Sequence, residues 1–130
     1  IAIVLLLALA TPVEAAPPAY VNDCGYPAYK PQSITQYCAD AGTGVVKIKW
    51  SSWTSTRATG TGSYYVNLCE PSCADGKLVW AKVKVALSGA KFTRGKRYLM
   101  NVTVSSLNGK PLPESANSNT IGWVTDYWMG

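Results

Sequence analysis

The stretch Leu78-Val-Trp-Ala-Lys-Val-Lys-Val-Ala-Leu87 decides the fold class of this 130-residue chain. Its apolar residues alternate with Lys82 and Lys84, and a period of two is typical of a β-strand with one buried and one solvated face. The inward positions are Val79, Ala81, Val83, Val85 and Leu87. The same pattern places Trp80 on the lysine side, which makes its ring a candidate contact surface.

Other segments repeat this alternation. Val45-Val-Lys-Ile-Lys-Trp50 predicts a strand with Val46, Ile48 and Trp50 inward and with Val45, Lys47 and Lys49 outward. Further strands are predicted over residues 63–68, 98–104 and 121–128, with a short one near 34–37. Turn signals separate them, among them Thr59-Gly-Thr-Gly62, Ser88-Gly89 and Arg94-Gly95. We therefore expect an all-β fold, a small antiparallel β-sandwich or barrel.

The N-terminal residues predict export. Ile1-Ala-Ile-Val-Leu-Leu-Leu-Ala-Leu-Ala10 is an unbroken apolar run, and Thr11-Pro-Val-Glu-Ala15 supplies a helix-breaking proline and small residues for cleavage. We expect a signal peptide over residues 1–15 that is truncated at its start, since it lacks Met and a basic region. An extended arm, 16–23, and a single β domain, 24–130, then follow, with no membrane span in the mature chain.

Four cysteines, Cys24, Cys38, Cys69 and Cys73, form an even set in a chain expected to be exported. Such a set predicts two structural disulfides rather than free thiols. Three pairings are possible from sequence. We favour Cys24 with Cys38 and Cys69 with Cys73, because both bridges are local.

The charge balance indicates the class of partner. The chain carries +5, and loss of Glu14 with the signal peptide raises this to +6. A basic exported protein is attracted to anionic surfaces, so we expect an anionic envelope polymer, lipid headgroups or a glycan as partner. A protein partner is the alternative, and nucleic acid is not expected. The protein is then secreted, extracellular or held at the cell surface.

Catalytic chemistry is poorly represented. The chain has no histidine, which excludes Ser-His-Asp and Cys-His mechanisms. With the cysteines paired, neither a metal nor another cofactor is expected. Asp40 and Asp75 share a Cys-Ala-Asp context and could form an acid and base pair in a hydrolase. Each lies beside a turn glycine, however, and the plainer interpretation is an Asx turn. We therefore expect no catalytic residue.

The aromatic residues suggest binding. Of five tryptophans, Trp50, Trp53 and Trp123 are expected in the core, because they lie in or beside predicted strands. The candidate binding residues are Trp80, Lys82, Lys84, Lys47 and Lys49. The leading hypothesis is a non-enzymatic binding module for an anionic or carbohydrate surface. A disulfide-stapled inhibitor that presents residues 69–73 is the second, and a carboxylate-dependent hydrolase is the third.

Three motifs carry a resemblance. They are Trp50-Ser-Ser-Trp53, Ala58-Thr-Gly-Thr-Gly62 and Cys69-Glu-Pro-Ser-Cys73-Ala-Asp-Gly76, preceded by Cys38-Ala-Asp. Together they resemble a W-x2-W, A-x-G-x-G and C-x-P-x-C-A-x-G pattern of small exported actinobacterial proteins of unknown function. The resemblance covers residues 38 to about 87. It implies a bacterial cell-envelope setting and carries over no catalytic residue.

Overall fold

The computed structural model describes residues 18–39, 42–69, 71–113, 115 and 117–128. Within these ranges all regular secondary structure is β, which confirms the expected class. The strands are β1 (Ala19–Asp23), β2 (Tyr26–Ala28), β3 (Ile34–Thr35), β4 (Thr43–Trp53), β5 (Ala58–Asn67), β6 (Leu78–Thr93), β7 (Lys96–Ser106) and β8 (Thr120–Val124). The predicted signal peptide, residues 1–15, lies outside the described residues.

All eight strands belong to one sheet. Its order is β2-β1-β7-β6-β5-β4-β3, and β8 pairs with β7 beside this path. Neighbouring strands are antiparallel except β1 and β7, which are parallel and share two residue pairs. The sheet curls into a half-barrel, and the side chains buried inside the curl form the core.

The face assignment of β6 from sequence is confirmed. Val83, Val85 and Leu87 are at most 1% exposed and belong to the core cluster. On the opposite face Lys82 and Lys84 are exposed. The period-two pattern of this strand therefore reports its burial directly.

A β-bulge in β4 changes the predicted faces of two residues. Val46 was expected to point inward but pairs with Ser63, the ladder partner of Lys82, on the outer face. Val45 was expected to point outward but is fully buried, because β4 has one residue more than β5 after Val46. Lys47, inside the bulge, has a φ of 54°. The extra residue lets both Val45 and Ile48 point inward. Their side chains fill the space above Gly62, where a Cβ would lie 3.0 and 3.2 Å from them.

The longest hairpin joins β6 to β7 and corrects another prediction. The predicted turn at Ser88-Gly89 is wrong, because the ladder with β7 continues on both sides of Gly89 and β6 runs on to Thr93. The predicted turn at Thr59-Gly-Thr-Gly62 is also wrong, because these residues lie within β5. The predicted turn at Arg94-Gly95 is confirmed. Both of its residues have positive φ, 52° and 78°, as a two-residue type I′ hairpin requires.

The predicted arm, residues 16–23, contributes a strand to the sheet. From Ala19 it forms β1, which pairs with both β2 and β7. Ala19 and Val21 are fully buried in the core. This segment is therefore part of the domain rather than an appendage to it.

The chain after β8 is held by a side chain of β1. The last predicted strand was expected over residues 121–128 but ends at Val124. Asn22, 2% exposed, donates hydrogen bonds from Nδ2 to the carbonyls of Thr125 at 3.0 Å and Tyr127 at 2.8 Å. These bonds use the backbone groups that a ladder would otherwise pair.

Both expected disulfides are present. Cys24 pairs with Cys38, and Cys69 pairs with Cys73. The first bridge joins the end of β1 to the segment after β3, so it ties together two parts of the sheet that are distant in strand order. The second closes a short loop between β5 and β6.

The tryptophans expected in the core line its margin. Trp50, Trp53 and Trp123 are partly buried and pack against the core cluster. The rings of Trp50 and Trp53 meet edge to face, with centroids 4.8 Å apart. Trp50 Nε1 also donates to the carbonyl of Pro31 at 2.7 Å. Trp50 and Trp53, whose Nε1 donates to the Ala19 carbonyl, thus combine apolar burial with a satisfied polar edge. The buried Nε1 of Trp123 has no hydrogen-bond partner among the described residues.

Candidate functional site

The outer side of β4, β5 and β6 carries the residues predicted to bind, and we term Lys47, Lys49, Trp80, Lys82 and Lys84 the lysine face. All five are exposed. The structure therefore brings together residues that lie more than thirty positions apart in the chain.

The ladder register sets the spacing of the lysine face. Lys49 and Lys84 both pair with Thr61, from opposite sides of β5. Adjacent strands are about 4.8 Å apart, so the Cα atoms of these two lysines lie roughly 10 Å apart. Lys82 and Lys84 are two residues apart on one strand, roughly 7 Å. The cations therefore form a regular array.

A hydroxyl group lies among these lysines. Ser63 pairs with Lys82 in the ladder, and Lys82 Nζ donates a hydrogen bond to Ser63 Oγ at 3.0 Å. Lys47, Lys49 and Lys82 line one hollow with Ser63 and Thr61, about 290 Å³ in volume. Lys47 is placed there by the bulge in β4. The hollow thus offers ammonium and hydroxyl donors on a backbone fixed by strand pairing.

Trp80 gives the lysine face an apolar contact surface. Its side chain is 53% exposed, as the sequence predicted. Its ring lies 5.5 Å from that of Tyr65, its ladder partner on β5. With Lys47, Ser63 and Lys82 it lines a second hollow of about 360 Å³. The supported ring is therefore positioned for stacking next to the cations.

A wider groove borders the lysine face. It measures about 750 Å³ and lies between the start of β6 and residues 106–113. Trp80 and Lys82 line one side, and Leu107 and Lys110 line the other. Leu107 is 58% exposed. The volume is within the range of known ligand clefts.

The described residues that line these three cavities carry positive charge and no carboxylate. The sequence from 76 to 113 contains eight Lys and Arg and no acidic residue. Clustered cations without nearby carboxylates give a positive local potential that attracts anions.

The candidate carboxylate pair cannot be assembled from the described residues, because Asp40 lies outside them. Asp75 is exposed, and its backbone amide donates to Ser72 Oγ at 3.2 Å. The Ser72 hydroxyl thus contributes to the turn that the sequence assigned to the aspartate. Catalysis by the pair stays a prediction.

The second disulfide presents a short exposed loop. Pro71, Ser72 and Cys73 are exposed. Asn67 braces both ends, since its Nδ2 donates to the carbonyl of Cys73 at 2.9 Å and its Oδ1 accepts from the amide of Cys69 at 2.9 Å. This loop is the candidate for a protein-binding role.

One basic surface is not among the binding residues predicted from the sequence. Lys91-Phe-Thr-Arg-Gly-Lys-Arg97 forms the tip of the β6–β7 hairpin, with four cations in seven residues. Its signal was readable as a basic run around a turn glycine. Because the sequence predicts a turn at Ser88-Gly89, it does not show that β6 continues to Thr93 at this tip.

No group of three or more His, Cys, Asp or Glu side chains that could hold a metal ion occurs in the described part of the chain. In the same ranges, no helix has the length and apolar character needed to cross a membrane. Comparison of the chain with protein-family models, curated proteins and solved structures found no match.

Proposed function

We propose that this protein is an exported, non-enzymatic binding module whose lysine face holds an anionic, glycan-containing polymer of a bacterial cell envelope. One observation carries the proposal: four lysines and the exposed Trp80 share one side of three paired strands. Export is supported by the N-terminal apolar run and by the two disulfides.

The charge array suits a polymer with repeating acidic groups. Lysine is a hydrated point charge with three donors and accepts anions from many directions. Each isolated contact is worth little in water, but several on one rigid surface act together. The spacings of roughly 7 Å along β6 and roughly 10 Å across β5 let one chain of phosphates or carboxylates contact several lysines.

Trp80 and the hydroxyl residues supply the glycan component. An indole face can stack on the apolar face of a sugar ring, and Trp80 is exposed beside Lys82. Ser63 and Thr61 add hydrogen-bonding groups in the adjacent hollow. A ring and donors of this kind recognise a polymer but provide no paired general acid and base.

Binding to an acidic polysaccharide tests the proposal. We expect Lys82→Glu with Lys84→Glu to weaken binding at least tenfold, and Trp80→Ala to weaken it severalfold. The matched control is Arg57→Glu with Lys77→Glu, which changes net charge equally. Arg57 and Lys77 are exposed and line none of the three grooves. Equal losses in both double variants would show non-specific charge attraction and contradict the proposed site.

The loop at residues 69–73 supports a second candidate, a disulfide-stapled protein-binding or inhibitor domain. The specific observation is that Asn67 fixes both ends of an exposed loop. Pro71→Ala is then expected to reduce capture of a protein partner while the sheet stays folded. Unchanged capture would argue against this role. Replacement of Pro71 leaves the lysine face intact, so the two candidates can be separated.

A further inference from the structure

A second basic surface lies at the tip of the β6–β7 hairpin. Arg94 is ten residues along the hairpin from Lys84, roughly 33 Å at the rise of an extended strand. Phe92, next to this turn, is 70% exposed, more than any other large apolar side chain among the described residues. The tip is thus separate from the lysine face and differs from it in carrying a protruding apolar ring.

Aromatic rings hold the cations of the tip in place. The Arg94 guanidinium carbon lies 4.4 Å from the centroid of the Trp128 ring. Lys96 Nζ lies 5.5 Å from the Tyr20 ring. These are distances at which a cation is attracted to the face of an aromatic ring. Two positive charges are therefore held against a tryptophan and a tyrosine at the same hairpin end as Phe92. The ladder partner of Phe92 is Arg97, so its ring projects from the face opposite to Lys96.

This combination matches a lipid interface. Trp and Tyr favour the headgroup level of a bilayer, whereas Phe enters the boundary with the acyl chains. Lys and Arg next to an anionic leaflet add attraction to the headgroups. A polymer dissolved in water could neutralise the cations but would leave Phe92 in water.

We propose that the tip formed by Phe92, Arg94 and Lys96, with Trp128 and Tyr20, docks on an anionic lipid bilayer. Phe92 enters the interface while Arg94 and Lys96 contact headgroup phosphates. This inference is independent of the polymer site. The two surfaces together allow the protein to bind a membrane and a polymer at once.

Cosedimentation of the mature protein with phosphatidylglycerol and phosphatidylcholine vesicles tests the proposal. The mature protein is expected to begin at residue 16 and so to lack the apolar run of residues 1–10. We expect Phe92→Ala to lower the partition coefficient about tenfold. Arg94→Asn with Lys96→Gln is expected to lower it about thirtyfold, from about fivefold per cation. Asn is favoured before Gly in a type I′ turn, so this variant retains the hairpin. Pure phosphatidylcholine vesicles are expected to bind the wild-type protein weakly.

Two controls make the outcome decisive. Leu78→Ala removes an exposed apolar side chain that lines none of the three grooves, and Arg57→Gln with Lys77→Gln removes two cations elsewhere. Both are expected to change vesicle binding less than threefold. The proposal is overturned if the tip variants bind vesicles as these controls do. It is also overturned by a second pair of results. If Phe92→Ala leaves vesicle binding unchanged, and the Arg94 and Lys96 variant no longer binds inorganic polyphosphate, the tip is a site for a soluble polyanion. Loss of polymer binding by the lysine-face variants, with vesicle binding retained, separates the two proposals.

Discussion

Trp53 Nε1 donates a hydrogen bond to the backbone carbonyl of Ala19 at 2.8 Å, although three strands lie between β4 and β1 in the sheet. In a flat sheet, four strand spacings would separate these elements by roughly 19 Å. The contact therefore records the curl that makes the half-barrel. It connects the strand that begins the domain with the strand that carries Lys47 and Lys49.

Loss of this bond should destabilise the domain. Trp53→Phe keeps an aromatic ring but leaves the Ala19 carbonyl without its partner, and we expect unfolding free energy to fall by about 1–2 kcal/mol. Trp80→Phe is the matched control, and because Trp80 is 53% exposed we expect less than about 0.5 kcal/mol. Urea unfolding measures both. Equal effects would show that the hydrogen bond does not stabilise the curl.

The bulge in β4 predicts a difference between two glycines. A Cβ at Gly62 would lie 2.9 Å from the Val46 carbonyl oxygen, so Gly62→Ala should cost about 1–3 kcal/mol. At Gly122 the nearest atoms are 3.6 Å away or more, and Gly122→Ala should be neutral or slightly stabilising. Thermal unfolding compares them. A harmless Gly62→Ala would contradict the packing described around the bulge.

The two disulfides should contribute unequally. Cys24 and Cys38 are 14 residues apart and Cys69 and Cys73 are 4 apart. Loop entropy assigns about 3 kcal/mol to the longer loop and about 2 kcal/mol to the shorter one. Paired Cys→Ser variants, unfolded in denaturant, are expected to show this order. The reverse order would mean that the Cys69–Cys73 bridge stabilises the folded sheet directly, beyond the reduction of chain entropy in the unfolded state.

Asn22 should be among the most sensitive polar positions. Its amide donates two hydrogen bonds to the chain after β8, and its Oδ1 accepts one from the amide of Gly25 at 2.7 Å. We expect Asn22→Ala to cost about 2–4 kcal/mol. Exposed Asn101→Ala is the control, at less than about 0.5 kcal/mol. Hydrogen exchange at residues 125–127 should also rise in Asn22→Ala, and unchanged protection there would contradict the role assigned to Asn22.

The sequence was informative where a regular period reports burial, and uninformative where backbone conformation interrupts that period. Strand β6 could be assigned face by face, which placed Trp80 and Lys82 correctly. The bulge at Lys47 left no trace in the alternation of β4, because valines precede it on both faces. Gly62 on the partner strand was the only hint.

Long-range closure could not be predicted from local patterns. The contact of Trp53 with Ala19 and the parallel pairing of β1 with β7 depend on which strands meet, and alternation within one strand does not specify that. The hairpin tip was missed for a different reason. The sequence predicts turns at both Ser88-Gly89 and Arg94-Gly95, and nothing in the local pattern shows that Gly89, despite its positive φ, lies within the ladder and that only the second turn exists.

The proposed binding of an anionic glycan polymer to the lysine face can be followed residue by residue. The most direct measurement is a titration of the isotopically labelled protein with a short acidic oligosaccharide, followed by backbone amide chemical shifts. We predict that the largest shifts occur at Lys47, Ser63 and Lys82, the residues shared by the two hollows, and that they diminish as salt is raised. Shifts confined to residues 69–73, or no saturable shifts on β4, β5 and β6, would contradict it.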